Sequence, residues 1–195
     1  MSRAEQGEAT RAALVDAARR LFVAKGYFAT GTEEIVAEAG VGTRGALYHH
    51  FADKEALFRA VFHRVQEDLA AATTVNPRAD ALESLTGALQ QFLDASAVNA
   101  DVQQVILIDG PAVLGWEQWR ALEIEYGLGV ITAMLDEAVR QRVVAEQPTA
   151  PLAHMLLASV DEAALYIANA DDRPRARNQA RRALTGLLAG LRVEE

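Results

Sequence analysis

A glycine-containing turn between two short amphipathic segments restricts the local fold of this chain more than any other feature of its sequence. Thr30 is a good N-cap with Glu33 three residues later, a pattern typical of a capping box at a helix start. Gly40 and Gly42 tolerate the left-handed backbone of a tight turn, so the first helix is expected to end there. Thr43 is expected to cap a second helix. Two short helices joined by a glycine turn form the layout of a helix-turn-helix.

The second helix of this pair carries side chains suited to binding DNA. Arg44 lies in its first turn, where recognition helices meet base edges in the major groove. Tyr48, His49 and Lys54 are expected to reach phosphates. Thr32, near the start of the first helix, adds a hydroxyl and free backbone amides for another phosphate. On the helix-turn-helix pattern alone, surface aromatic residues without a ligand remain an alternative.

Four stretches carry a wider similarity: Gly26-Tyr27, Thr30–Val36, Ala39–Val41 and above all Gly45–Phe58. Through them the first third of the chain resembles the TetR/AcrR family of bacterial transcriptional regulators. The resemblance implies that Tyr48, His49 and Lys54 contact phosphates, whereas Thr43, Arg44 and Gly45 face the bases. The turn from Gly40 to Gly45 is one residue longer than the commonest family turn, which bears on the register of the base-facing residues.

The composition limits the class of protein. The 195 residues are 51% hydrophobic, enough for a small domain and a second helical one. Cysteine is absent, which excludes disulfides and thiolate metal sites. The polar N-terminus lacks a signal core, and no window is apolar enough to span a membrane. We therefore expect a soluble, cytoplasmic protein.

The net charge of −8 is unevenly distributed along the chain. Residues 1–65 hold nine Lys/Arg and eight Asp/Glu, whereas residues 66–195 hold ten Lys/Arg and nineteen Asp/Glu. The first part is thus close to neutral and the second is acidic. DNA affinity is expected to depend on a few placed contacts and on dimerisation instead of a broad basic field.

Helical apolar spacing over nearly the whole chain predicts an all-α fold of about nine helices. Together with this spacing, the family resemblance implies a DNA-binding domain over residues 1–53, a connecting helix over 54–74, and a ligand-binding and dimerisation domain over 75–195. The first helix is expected from about Glu8 to Lys25. A short helix is expected from about Ala100 to Ile108, a break at Asp109–Ala112, and one long helix from about Trp116 to Val144.

The last two predicted helices are rich in alanine and glycine, which lets helix axes approach closely. The family resemblance implies that they form a four-helix bundle across a two-fold axis, giving a homodimer. The alternative is that they only close the core of one subunit. Five arginines between Arg173 and Arg182 permit a second nucleic-acid site, but a solvated face paired with Asp171, Asp172 and their neighbours is the preferred interpretation.

The resemblance also implies a small-molecule effector site in the C-terminal domain. Mostly apolar walls with a few polar groups are what such a pocket needs. The candidate lining residues are Phe92, Asp109, Trp116, Trp119, Tyr126, His154, Glu162 and Tyr166. Aromatic residues at helical spacing are also common in ordinary cores, so core packing is the alternative. Asp109 and Glu162 favour an apolar ligand that carries a hydrogen-bond donor or a positive charge.

These features lead to three hypotheses for the function. The first is a dimeric repressor that a small molecule releases from a near-palindromic DNA operator. The second is an enzyme using acidic residues or His154, but no nucleophile–base spacing, phosphate loop or metal motif supports it, so no enzymatic activity and no cofactor are expected. The third is an architectural DNA-binding protein without an effector. An enzyme leaves the stretch Gly45–Phe58 unexplained, and an architectural protein needs no enclosed cavity.

Overall fold

The computed structural model describes residues 2–74 and 76–193. Its α-helices follow one another along the chain, with two π-helical segments between α5 and α7. They are α1 (Arg3–Lys25), α2 (Thr32–Glu38), α3 (Arg44–His50), α4 (Lys54–Ala72), α5 (Ala81–Val98), a π-helix (Val102–Asp109), α6 (Gly110–Glu123), a second π-helix (Ile124–Leu128), α7 (Gly129–Arg140), α8 (Thr149–Ala168) and α9 (Arg173–Ala189). The predicted all-α fold is confirmed. In the described ranges the β structure amounts to one isolated bridge, between Val144 and Arg192.

The first of two structural units contains α1 to α3, α4 up to Asp68, and residues Ala100–Trp116. Its core is aliphatic and aromatic, because the apolar stripes of α1, α2, α3 and α4 meet inside it. Fully buried members include Leu14, Phe22, Ile35, Leu47, Leu57, Phe58 and Phe62. The rings of Phe22 and Phe58 lie 5.7 Å apart between centroids, so α1 and α4 are joined by aromatic packing.

The start of α2 differs from the sequence prediction. Its N-cap is Gly31, and the Glu34 carboxylate accepts a hydrogen bond from the Gly31 backbone N–H at 3.4 Å. Thr30, the predicted cap, is buried, and its hydroxyl instead donates to the carbonyl of Gly26 at 2.8 Å. Gly26 ends α1 with φ +82°, a conformation that favours glycine. The threonine hydroxyl is therefore used to close the turn between α1 and α2.

The second unit contains residues Leu69–Asn99 and Glu117 onward. Helix α5 packs against α7, α8 and α9 through a row of buried leucines that includes Leu85, Leu89 and Leu93. Polar contacts fix α9 against α5: Gln90 donates to the Thr185 hydroxyl at 2.8 Å, and Arg181 pairs with Asp94. Arg177 also lies beside Asp94, at 3.7 Å. The arginine run of α9 thus pairs partly with α5, while Asp172 caps α9 by accepting from the Arg175 N–H.

The middle of the chain departs most from the predicted helix boundaries. The predicted break at Asp109–Ala112 is wrong, because Gly110 keeps α-helical torsion angles. The backbone instead kinks at Gly115, with φ +75° and ψ 159°. The long helix predicted from Trp116 to Val144 is also interrupted, by the π-helix Ile124–Leu128. This π turn contains Gly127, where a Cβ atom would lie 2.8 Å from the end of the Leu157 side chain, so any larger residue there would require Leu157 of α8 to move.

Helix α1 begins earlier than predicted, at Arg3, because Ser2 and Glu5 form a capping box at its N-terminus. Over residues 2–74 and 76–193, no helix combines the length and apolar character needed to cross a membrane. No group of three or more His, Cys, Asp or Glu side chains suited to hold a metal is found within that part of the chain.

Candidate functional site

Helix α3 is buried on one side in the first unit, and its first turn is exposed to solvent. Leu47 is fully buried, and Phe51, which follows α3, is nearly so. Thr43 caps α3 as predicted, with its hydroxyl accepting from the Ala46 N–H at 3.3 Å. Gly45 is exposed, and a Cβ atom there would make only an ordinary contact with the Thr43 hydroxyl. Burial of the opposite side of α3 therefore fixes the exposed side, which carries Arg44, Tyr48 and His49.

Arg44 is held by two neighbours at the exposed start of α3. Its guanidinium donates to the Glu33 carboxylate at 3.0 Å and to the Tyr48 hydroxyl at 3.4 Å, and lies over the Tyr48 ring. The hydrogen bond from Arg44, followed by one with Thr32, lowers the pKa of Tyr48 below its usual value. Thr32, Arg44 and Tyr48, all predicted to contact DNA, thus form one connected group that also includes Glu33.

Lys54 has partners within its own unit. Its ammonium donates to the Tyr27 carbonyl at 2.6 Å and lies 3.9 Å from the centre of the Tyr27 ring. Burial lowers the pKa of Lys54, and the nearby carboxylate of Asp109 partly offsets this effect. The Tyr27 N–H in turn donates to Asp109 at 2.8 Å. Lys54 and Asp109 therefore hold the backbone on both sides of Tyr27, just after the end of α1.

The predicted effector residues do not all belong to one unit. Asp109 and Trp116 are in the first, where Asp109 is buried beside Tyr27 and Trp116 is 62% exposed. The remaining six are in the second unit and differ in burial. Trp119 is fully buried, Phe92 and Tyr126 are half-buried, and His154, Glu162 and Tyr166 are exposed along one side of α8.

A buried ion pair in the second unit was not assigned from sequence. Arg120 of α6 donates to the carboxylate of Asp161 on α8, and the Asp161 side chain is only 6% exposed. Burial raises the pKa of Asp161 to about 6, although the attraction and hydrogen bond of Arg120 act in the opposite direction. The two residues are 41 positions apart, so no local sequence pattern identifies the pair. Glu123, also on α6, is buried as well.

Helices α8 and α9 carry large apolar side chains that are exposed to solvent in the single chain. Met155 and Tyr166 of α8 are more than half exposed, and Leu187 of α9 is 49% exposed. Leu184 and Leu188, on the other side of α9, are buried within the chain. A Cβ atom at Gly186 would meet nothing within 4 Å. The exposed side therefore combines apolar groups with an open, small-residue surface.

Comparison with known proteins assigns both parts of the chain. Residues 14–61 match the family described as "Bacterial regulatory proteins, tetR family", and residues 82–191 match "Tetracyclin repressor-like, C-terminal domain". The Transposon Tn10 TetC protein of Escherichia coli is 30% identical over 142 residues, which cover 70% of this chain and 69% of that protein.

Solved structures agree with this assignment over the whole chain. A TetR-family transcriptional regulator from Pectobacterium atrosepticum is 33% identical, with a TM-score of 0.84 over 100% of this chain and 99% of its own. RolR, solved in complex with resorcinol, shares the fold at 21% identity, with a TM-score of 0.73 over 99% of both chains. The profile matches, the identity to TetC and the structural similarity agree, and the chain belongs to the TetR family of bacterial DNA-binding transcriptional regulators.

Proposed function

We propose that this protein is a dimeric repressor that leaves its DNA operator when a small molecule binds in the C-terminal part of the chain. DNA binding is assigned to residues 1–53, connection to residues 54–74, and effector binding and dimerisation to residues 75–195. The observation that carries the proposal is the exposed start of α3: Thr43, Arg44 and Gly45 are open to solvent, while Leu47 on the other side of the helix is buried. Recognition helices present their first turn to base edges in this way.

Two classes of DNA contact are proposed. Arg44 reads a base, whereas Thr32, Tyr48 and His49 bind phosphates and fix the position of α3. Lys54 supports the adjoining turn through Tyr27 and adds positive charge near the same backbone. Phosphate contacts position a protein without reading sequence, so the two classes are separable by experiment.

The DNA-binding test compares one variant of each class. Duplexes from beside the protein's own gene and scrambled duplexes of equal length are titrated at fixed salt, because affinity depends strongly on salt. Tyr48→Phe should weaken both by similar factors. Arg44→Ala should cost about 1–3 kcal/mol on the operator only. An equal loss on both duplexes with Arg44→Ala contradicts a base-reading role.

The proposed dimer uses the exposed side of α8 and α9. Met155, Tyr166 and Leu187 are large apolar or aromatic groups exposed on a single chain, and such surfaces commonly mark interfaces. A two-fold dimer places equal recognition helices about one DNA turn apart, roughly 34–36 Å, and so requires a near-palindromic operator.

Sedimentation at micromolar concentration tests this interface. Leu187→Arg should shift the protein toward the monomer, because a charge would be buried between subunits. Val130→Arg is the matched control, since Val130 is similarly exposed but lies on α7. A wild-type monomer, or an unchanged dimer with Leu187→Arg, would contradict the assignment.

The effector is proposed to bind in the second unit near the Arg120–Asp161 pair. Trp119, the sequence neighbour of Arg120, is buried, and Tyr126 follows on the same stretch, so the segment that carries Arg120 also supplies the aromatic side chains that a ligand site needs. Asp161 accepts hydrogen bonds, which supports a planar apolar effector carrying a donor group. RolR, which shares the fold, was solved with resorcinol, a small planar compound, and this is consistent with the proposal.

Effector binding is tested with Trp116→Phe, which leaves Trp119 as the only tryptophan. Planar phenols, amines and a nonpolar analogue are titrated while Trp119 fluorescence and DNA release are followed together. A tenfold loss of DNA affinity requires about 1.4 kcal/mol of preference for the DNA-free state. Quenching without any change in DNA affinity would leave a ligand site but contradict its role in regulation.

A further inference from the structure

The most specific polar arrangement on the exposed end of α3 is the contact between Glu33 and Arg44. Glu33 is the second residue of α2, and its carboxylate accepts from the Arg44 guanidinium at 3.0 Å. The two other acidic residues of α2 lie against α1: Glu34 pairs with Lys25, and Glu38 with Arg20. Glu33 alone of the three reaches α3.

The pair stays largely open to solvent. The Glu33 side chain is 78% exposed and that of Arg44 is 53% exposed. An exposed ion pair of this kind adds little stability, typically well under about 1 kcal/mol. A carboxylate beside a DNA-binding surface also weakens affinity for every sequence, because phosphates repel it. The first turn of α2 favours a carboxylate, but neither that preference nor general DNA affinity accounts for the contact of this carboxylate with Arg44.

Base recognition does account for it. In the major groove a G·C pair presents two acceptors, guanine N7 and O6, beside one donor, the cytosine N4 amino group. Arg44 supplies two N–H donors, and the adjacent Glu33 carboxylate supplies an acceptor. The two donors of Arg44 therefore match guanine N7 and O6, and the acceptor of Glu33 matches the neighbouring cytosine N4 amino group. An A·T pair places a donor and then an acceptor at the corresponding positions, so the carboxylate would meet thymine O4 unfavourably.

We propose that Glu33 and Arg44 act together to read one G·C base pair in each half-site, with Arg44 donating to guanine and Glu33 accepting from cytosine N4. This inference rests on the proposed function, in which α3 enters the major groove. Tyr48 supports the arrangement by keeping the Arg44 guanidinium over its ring, so that the two readers remain side by side. The Glu33 carboxylate lowers affinity for all DNA by repelling phosphates, and at a G·C pair the hydrogen bond from cytosine N4 offsets this loss.

The first experiment is selection of duplexes from a random-sequence library by the full-length protein and its variants. The wild type should select a G·C pair at one position of each half-site. Glu33→Gln should bind random DNA more tightly and relax that position toward A·T by roughly fivefold, a smaller effect than loss of a bidentate contact. Glu34→Gln is the matched control: it removes the same charge from the neighbouring residue, which faces Lys25, and should leave base preference unchanged.

A second measurement addresses the cytosine contact itself. Selected duplexes are prepared with N4-methylcytosine at the G·C position, which replaces the major-groove hydrogen with a methyl group, and with 5-methylcytosine as the control. Wild-type affinity should fall roughly fivefold with N4-methylcytosine, and Glu33→Ala should show no such fall. An equal fall in both proteins would overturn the proposed contact.

The outcomes separate this inference from the proposed function. If the wild type selects no sequence, or Arg44→Ala keeps the wild-type preference, base reading by α3 fails and the inference fails with it. If Arg44→Ala loses the preference while Glu33→Gln behaves like Glu34→Gln, the regulator stands and only the role of Glu33 is overturned.

Discussion

Burial of Asp161 should make the contribution of this residue to stability fall as the pH rises through the acidic range. Burial raises the pKa of Asp161 from its ordinary 3.8 to about 6 in the folded chain. The folded chain therefore holds this proton more tightly than the unfolded chain does. The resulting contribution to stability is complete below about pH 3.8 and is lost as the pH rises through about 6.

The size of the effect follows from the gap between the two pKa values. Each pH unit of difference corresponds to 1.36 kcal/mol, so a gap of about two gives about 3 kcal/mol. Little of this is lost to solvent screening, because the Asp161 side chain is 6% exposed and that of Arg120 is 20% exposed.

Asp161→Asn isolates this contribution, because asparagine has a similar shape, still accepts a hydrogen bond from Arg120, and does not titrate. Urea unfolding of both proteins between pH 4 and 7, at one protein concentration, gives the free energy of unfolding at each pH. The difference between wild type and variant should change by about 2 kcal/mol over that range, because part of the full contribution is already lost at pH 4, and the variant should gain relative stability toward pH 7.

Glu162→Gln is the control for the loss of one negative charge, since Glu162 is the next residue on α8 and is exposed. Its stability should follow the wild-type pH dependence. If Asp161→Asn also parallels the wild type from pH 4 to 7, the carboxyl of Asp161 is not held at a raised pKa and the reasoning from burial is refuted.

Two further predictions compare matched pairs by the same urea method. A Cβ atom would have open space at both Gly115 and Gly129, but Gly115 has φ +75° whereas Gly129 has helical torsion angles. Gly115→Ala should therefore lower the free energy of unfolding by about 1–3 kcal/mol, whereas Gly129→Ala should be neutral or stabilise by up to about 1 kcal/mol. Equal effects of the two substitutions would contradict backbone strain at Gly115. The second pair is the two lysines of the chain: Lys54→Met should cost about 1–2 kcal/mol of stability, because it leaves the Tyr27 carbonyl without its ammonium donor. Lys25→Met removes only a surface ion pair with Glu34 and should cost less than about 1 kcal/mol. A larger loss with Lys25→Met than with Lys54→Met would contradict this account.

The sequence by itself determined the helical class and the helix-turn-helix, because both depend on local signals. The apolar stripe of α1, the cap at Thr43 and the motif Gly45–Phe58 act over a few residues, and spacing of this kind is visible without a structure. The predicted second helix, which begins at Arg44, also placed Arg44, Tyr48 and His49 on its exposed side, since burial of Leu47 leaves them on the opposite side.

Helix interruptions in the middle of the chain were decided by tertiary packing. The π-helix Ile124–Leu128 carries no proline, and the Leu157 side chain of α8 lies against its glycine. Likewise, Asp109-Gly-Pro reads as a break, yet Asp109 ends a π-helical turn that is anchored to the Tyr27 N–H. A contact across more than eighty residues leaves no mark in local spacing.

Polar contacts between residues distant in sequence could be found only from the folded chain, for the same reason. Arg120 finds Asp161 across 41 residues and Lys54 finds the Tyr27 carbonyl across 27, distances in sequence at which no periodicity predicts a partner. Glu33 was taken from sequence as part of a helix cap, and its contact with Arg44 exists because α2 and α3 pack against each other. Local sequence determined which helices form; packing between helices determined which polar groups meet, because each such pair joins residues from different elements.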